Sequence, residues 1–152
     1  TFDPGRVVEY SGQPYPYRVH LGCSGMKVFK RKDFHRWQTS ERLPDSALCE
    51  AVKEMECGLV DAKLGGGLYK KRIARPGAGK RGGYRTLLSA RAGQRYVFLH
   101  AFSKSDKTNI TREEARALRY VGKVFLGLSQ EDLLKARYSD VLLEVRCNDE
   151  AH

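Results

Sequence analysis

The chain is poor in the residues that mark several protein classes. It has 4 cysteines, 5 prolines and 1 tryptophan in 152 residues. None of Cys23, Cys49, Cys57 and Cys147 forms a CxxC pair. Cys49 and Cys57 lie about 12 Å apart along a predicted helix, too far to bridge. This usage predicts reduced thiols in a cytosolic protein. The histidines His20, His35, His100 and His152 supply no tight ligand cluster, so no metal and no cofactor is expected. No apolar run approaches the roughly 20 residues that a membrane-spanning helix needs. Thr1 to Tyr17 is polar and proline-interrupted, unlike a signal peptide. The expectation is a cytoplasmic protein, neither secreted nor embedded in a membrane.

Acidic residues are scarce in one place. Residues 70–110 hold 11 Lys or Arg and a single acid, Asp106, whereas residues 1–69 and 111–152 are each nearly neutral. The whole surplus of +10 therefore sits in about forty residues. A positive field concentrated in this way suits a polyanion, and nucleic acid is the commonest one. At 41% hydrophobic and 30% charged, the chain can still bury a core of ordinary domain size.

Residues 1–25 read as an N-terminal arm of uncertain origin, with Pro4, Pro14 and Pro16 among tyrosines and two short strand-like runs, Arg6 to Tyr10 and Tyr17 to Leu21. A single domain is expected over residues 26–146, followed by a polar tail, 147–152. Met26 to Lys30 reads as a strand. Phe34 and Trp37 have helical spacing, and Pro44 and Asp45 open a second helix with the stripe Leu48, Val52, Met55 and Leu59. A glycine turn at residues 65–67 precedes three strands, Leu68 to Arg75, Tyr84 to Arg91 and Arg95 to Ser103. The first pair is joined by a loop from Pro76 to Gly83, the second by a hairpin turn at Ala92 to Gln94. Thr111 and Glu114 form a capping box for a helix that buries Leu118, Val121, Phe125 and Leu128. Ser129 caps a last helix, and Val141 to Val145 reads as a strand. The order predicts an α+β fold, an antiparallel sheet with helices on one face and the other face open to a partner.

Alternation along the strands places Lys70 and Arg72 on one face and Tyr69 and Ile73 on the other. Arg85 opposes Tyr84 and Thr86, and His100, Phe102 and Lys104 are in phase. If the strands align, Lys70, Arg72, Arg85 and Lys104 converge, with Lys80 and Arg81 overhanging them. Arginine offers phosphate a rigid fork and lysine a movable charge. A lysine among crowded cations is a candidate base, and RNA carries its own nucleophile in the 2′-hydroxyl. Spacing alone leaves open a phosphate-binding surface without catalysis. Tyr84 is a candidate either to stack on a base or to join the core. The run Gly77 to Lys80 lacks the first glycine and the Ser/Thr of a phosphate loop.

Two stretches closely resemble the RelE/HigB family of bacterial type II toxins. They are Leu64 to Thr86 (LGGGLYKKRIARPGAGKRGGYRT) and Ala101 to Ile110 (AFSKSDKTNI). The opening Met26 to Lys30 (MKVFK) and the ending Leu142 to Arg146 (LLEVR) also look like the HigB-like branch of this RelE/ParE superfamily. The resemblance implies a compact RelE-like domain, with N-terminal helices on one face of a small sheet and a C-terminal helix. It implies a ribosome-dependent mRNA interferase that cleaves through the 2′-hydroxyl and leaves a cyclic phosphate. It also implies a helix-turn-helix antitoxin, through which alone the toxin would meet operator DNA.

Carried over by position, the resemblance makes Lys70 a base or phosphate clamp, Arg72 a transition-state stabiliser and Arg85 the grip on the scissile phosphate. Lys104 falls where a general acid or phosphate contact is expected. The RelE branch has a catalytic tyrosine shortly after that point, but Thr108 to Thr111 occupy the region here, so His100 is the alternative acid. Lys71, Arg75, Lys80, Arg81, Tyr84 and Lys107 complete the expected RNA contacts. Two other readings are a ParE-like inhibitor of DNA gyrase and a plain rRNA-binding module.

Overall fold

Val28 and Phe29 point to opposite sides of the first strand, and both are buried. That strand, β1 (Lys27–Arg31), is therefore an interior strand covered on both faces. The computed structural model describes residues 27–147 except 76, 78, 107 and 108, and the side chains of residues 79–81 are also outside the description. The arm, with its two strand-like runs, Cys23 and Met26, lies outside the described residues, as do residues 148–152.

Helices α1 (Lys32–Glu41) and α2 (Asp45–Glu56) follow β1. Arg42 turns the chain between them in a left-handed conformation, φ 58°, and Pro44 starts α2. Leu48, Val52 and Met55 are buried as their spacing predicts. Leu59 lies beyond the helix and is 57% exposed, because Gly58 at φ 90° ends it first. The short β2 (Ala62–Lys63) precedes the turn of Gly65, Gly66 and Gly67, all at positive φ. Then come β3 (Leu68–Arg75), β4 (Gly79–Arg91) and β5 (Arg95–Ser103), α3 (Arg112–Leu126), α4 (Gln130–Tyr138) and β6 (Leu142–Val145).

The expected loop over 76–83 is mostly strand. Gly83 lets β4 continue past the bulge at Ile73 and Arg75, since a side chain there would run into the Ile73 carbonyl. The fold is α+β, with strand order β2-β3-β4-β5-β1-β6. The sheet is mixed rather than antiparallel throughout. β1 pairs with β5 in parallel and with β6 antiparallel, because two helices and the meander separate β1 from its neighbours in the chain.

Both faces of the sheet carry helices, which corrects the expectation of one open face. Helices α1 and α2 bury Val28, Ile73, Leu88 and Phe98 on the first face. Helices α3 and α4 bury Phe29, Leu68, Leu87 and Leu99 on the second. Each such side chain, fully buried, contributes about 1.5–3 kcal/mol. Helix α3 approaches β4 closely: a Cβ on Gly122 would collide with Ser89. The capping box of Thr111 and Glu114 starts α3, and the Arg95 guanidinium donates to the Phe125 and Leu128 carbonyls at its end.

Cys49 and Cys147 are joined by a disulfide, with Cα atoms 5.4 Å apart. This corrects the expectation of reduced thiols at these two positions. Antiparallel pairing of β6 with β1 brings Cys147, two residues past β6, beside Cys49 of α2, 98 residues away in sequence. Cys57 is free and exposed.

Candidate functional site

The register of β3, β4 and β5 sets two rows across the sheet. Arg72 lies opposite Arg85, and Arg85 opposite Phe102. Lys70 lies opposite Leu87, and Leu87 opposite His100. Residues opposite in an antiparallel ladder share a face, with Cβ atoms about 4.5–5.5 Å apart. Lys70, Arg72, Arg85 and His100 therefore stand together on the face that carries α3.

A bulge puts His100 there. The pairing shifts between Leu87 and Leu88, so Leu99 has no partner in the ladder. Its carbonyl is satisfied from the other side, where Arg31 donates to it through two guanidinium nitrogens at 3.0 and 2.8 Å. His100 then packs against Phe102, ring centroids 6.1 Å apart.

Arg85 is the least solvated of the cluster, at 8% exposure. Its Nη1 is buried without a hydrogen-bond partner. Guanidinium stays charged in any protein environment. A buried cation of this kind, facing Arg72, is stabilised by an anion that supplies acceptors. Arg72 is more open and is steadied by Asp61. The Asp61 carboxylate accepts from the Arg72 backbone N–H and lies 3.8 Å from its Nε. Asp61 carries no mark in the sequence, where nothing connects a loop aspartate to a strand eleven residues on.

Lys104 leaves β5 two residues past Phe102 and is exposed in a turn. Asp106 closes that turn, its N–H donating to the Ser103 carbonyl and its carboxylate accepting from the Ser103 hydroxyl at 2.8 Å.

Three expected RNA contacts are elsewhere. Lys71 points to the opposite face, is 3% exposed and pairs with Glu54 of α2 at 2.7 Å. Tyr84 is 2% exposed, donates to Glu41 and stands edge-on to Trp37, so it belongs to the core and offers no face to a base. Burial raises its phenol pKa above the ordinary value. Arg75 lies over the Tyr84 ring, 5.3 Å from its centre, on that same face. All three follow from alternation: Lys71 shares the Ile73 side of β3, Tyr84 is out of phase with Arg85 on β4, and Arg75 lies over Tyr84. The side chains of Lys80 and Arg81, and all of Lys107, lie outside the described residues.

Among the described residues no group of three or more His, Cys, Asp or Glu side chains is placed to hold a metal ion. No helix among them is long and apolar enough to cross a membrane. Comparison with curated proteins finds no match. Comparison with models of protein families matches residues 26–145 to the RelE toxin of the RelE/RelB toxin–antitoxin system. The match spans every strand and helix from β1 to β6, so this chain belongs to the RelE toxin family.

Proposed function

We propose that this toxin is an endoribonuclease that cuts mRNA on the translating ribosome, in the manner of the HigB-like branch. The observation that carries the reading is the buried, unpartnered Nη1 of Arg85 opposite Arg72, a cationic pair built to receive a phosphodiester. In this reading Arg85 holds the scissile phosphate and Arg72 neutralises the charge that grows on its oxygens. Lys70, next in line on β3, takes the proton of the 2′-hydroxyl or clamps the phosphate. The 2′-oxygen bonds to phosphorus, the bond to the 5′-oxygen breaks, and that oxygen receives a proton from Lys104 or His100. The products are a 2′,3′-cyclic phosphate and a free 5′-hydroxyl. The toxin's partner is an antitoxin, for which a helix-turn-helix protein is the proposed class.

Primer extension on a reporter mRNA in a reconstituted translation reaction tests this. The native protein should give new stops at in-frame codons, and Arg85→Ala should give none. Intact mRNA during active translation would sink the reading and redirect attention to gyrase supercoiling.

A further inference from the structure

One face of α3 is unaccounted for by packing. At 100° per residue Arg112, Arg116, Arg119 and Lys123 fall within an arc of about 60°. The buried residues Leu118, Gly122 and Leu126 occupy the adjoining arc, so this basic stripe runs along the flank of the helix, just above the sheet.

Which flank is fixed by contacts. Arg119 donates to the Leu64 carbonyl at 2.7 Å. A Cβ on Gly66 would lie 3.2 Å from Arg119 and 3.3 Å from Lys123. The stripe therefore lies on the side of the glycine turn that leads into β3, the strand whose Lys70 and Arg72 project on the same side of the sheet. Gly67 lies near Leu126, so the C-terminal part of α3 sits over the start of β3. The N-terminal part, with Arg112 and Arg116, lies toward the Arg72 and Arg85 end. Arg112, Arg116 and Lys123 are exposed, and none forms an ion pair with a described carboxylate. Tyr120 flanks the stripe and is 72% exposed.

We infer that this flank is a track for the backbone of single-stranded RNA, leading away from the Lys70, Arg72 and Arg85 cluster. The inference rests on the RNA reading of that cluster. The stripe runs about 16 Å along the helix, room for several successive phosphates. Basic side chains in line with an exposed aromatic ring form the usual surface for single strands: the cations follow the phosphates and the ring stacks on a base. Charge complementarity alone would also admit an acidic peptide, but a peptide gains no base stacking from Tyr120 and shows no dependence on nucleotide bases.

The test is fluorescence anisotropy with a labelled 12-nucleotide 2′-O-methyl RNA, which cannot be cleaved, over a salt series. Replacing Arg112, Arg116 and Lys123 together by Gln should weaken binding on the order of tenfold and flatten the salt slope by about two, near 0.7 for each phosphate left without its cation. Tyr120→Ala should weaken binding with the slope unchanged. A control lacking three exposed charges elsewhere, Lys32→Gln with Arg36→Gln and Lys135→Gln, should keep the native slope. Circular dichroism melts establish that each variant is folded. The double variant Arg112→Gln with Arg116→Gln, which leaves Lys123 in place beside the glycine turn, should flatten the slope by about half that amount or more.

An unchanged slope in the stripe variants, or an equal change in the control, overturns the track. So does failure of the native protein to bind the RNA. Either result leaves the nuclease reading standing if native protein still cuts mRNA during translation and Arg85→Ala does not.

Discussion

Arg72 and Arg85 face each other directly across the β3–β4 ladder. Like charges at such a position destabilise a sheet, and here one of the two is buried with an unsatisfied nitrogen. The pair is a cost to the fold that Asp61, beside the more open Arg72, offsets only in part. Function and stability should therefore separate at this position. Arg85→Met keeps the length and removes the charge. It should raise stability by about 1 kcal/mol, measured by urea unfolding, and should lower mRNA cleavage on the order of a hundredfold or more. A destabilised Met variant would mean that the guanidinium serves the fold.

Lys71 is the counter-case, one residue from Lys70 and Arg72 and on the other face. Lys71→Ala should cost about 2 kcal/mol, at the low side for a buried pair because the Glu54 side chain is still 22% exposed. RNA affinity, measured by anisotropy per folded molecule, should stay within about twofold of the native value. Weakened RNA binding at native stability would place Lys71 back on the functional face.

Asp45 gives the fold a pH dependence. Burial works to raise its pKa, but hydrogen bonds from Gln38 and Lys30, with the Lys30 charge, outweigh that and hold it below the ordinary 3.8. The folded chain then binds this proton less tightly than the unfolded one. The stabilisation is present above pH 3.8 and fades as pH falls through the lowered folded value. Asp45→Asn should melt below the native protein at pH 7, since Lys30 is buried against the carboxylate at 2.9 Å. The difference should narrow on acidification below pH 3.8. A constant gap across the melting series would show that the hydrogen bonds matter and the charge does not.

The Cys49–Cys147 bridge closes a long loop across the domain. Opening it should lower unfolding stability by about 2–4 kcal/mol. Denaturation with and without a phosphine reductant should show that difference in the native protein and none in Cys147→Ser. Equal curves for the native protein would mean that the bridge adds nothing to the fold.

Much of the sheet is legible in the sequence because alternation and turn chemistry are local. β3 and β5 begin and end where the sequence predicts, and the capping box of α3 is written in four residues. Lys70, Arg72 and Arg85 share a face as alternation predicts once β3 and β4 align, whereas His100 stands with them only through the bulge at Leu99. The same phase separates Lys71 and Tyr84 from them, although basic charge and aromaticity argue in the sequence for RNA contacts. Their partners, Glu54 and Glu41, sit on helices distant in sequence. An amphipathic stripe shows that a helix buries one side, not which face of the sheet receives it, so the sequence alone does not assign α3 to the second face. Glycines 79, 82 and 83 resemble a loop until the close approach of the Ile73 carbonyl is known. The bulge at Leu99 has no sequence mark, since both residues beside it suit a regular strand.

The placement of β1 ties the start of the domain to its end. β1 lies between β5 and β6, so its outer edge stays open until Leu142 to Val145 arrive. A nascent chain on the ribosome can pair β1 with β5 once Ser103 has emerged, yet it cannot close the sheet until Val145 has emerged as well. Open strand edges recruit other chains. A product terminated before Leu142 would carry the cationic cluster intact on an unsealed sheet, inviting aggregation and quality control. The order of strands thus makes the arrival of Leu142 to Val145 a condition for sealing the sheet that carries Lys70, Arg72 and Arg85.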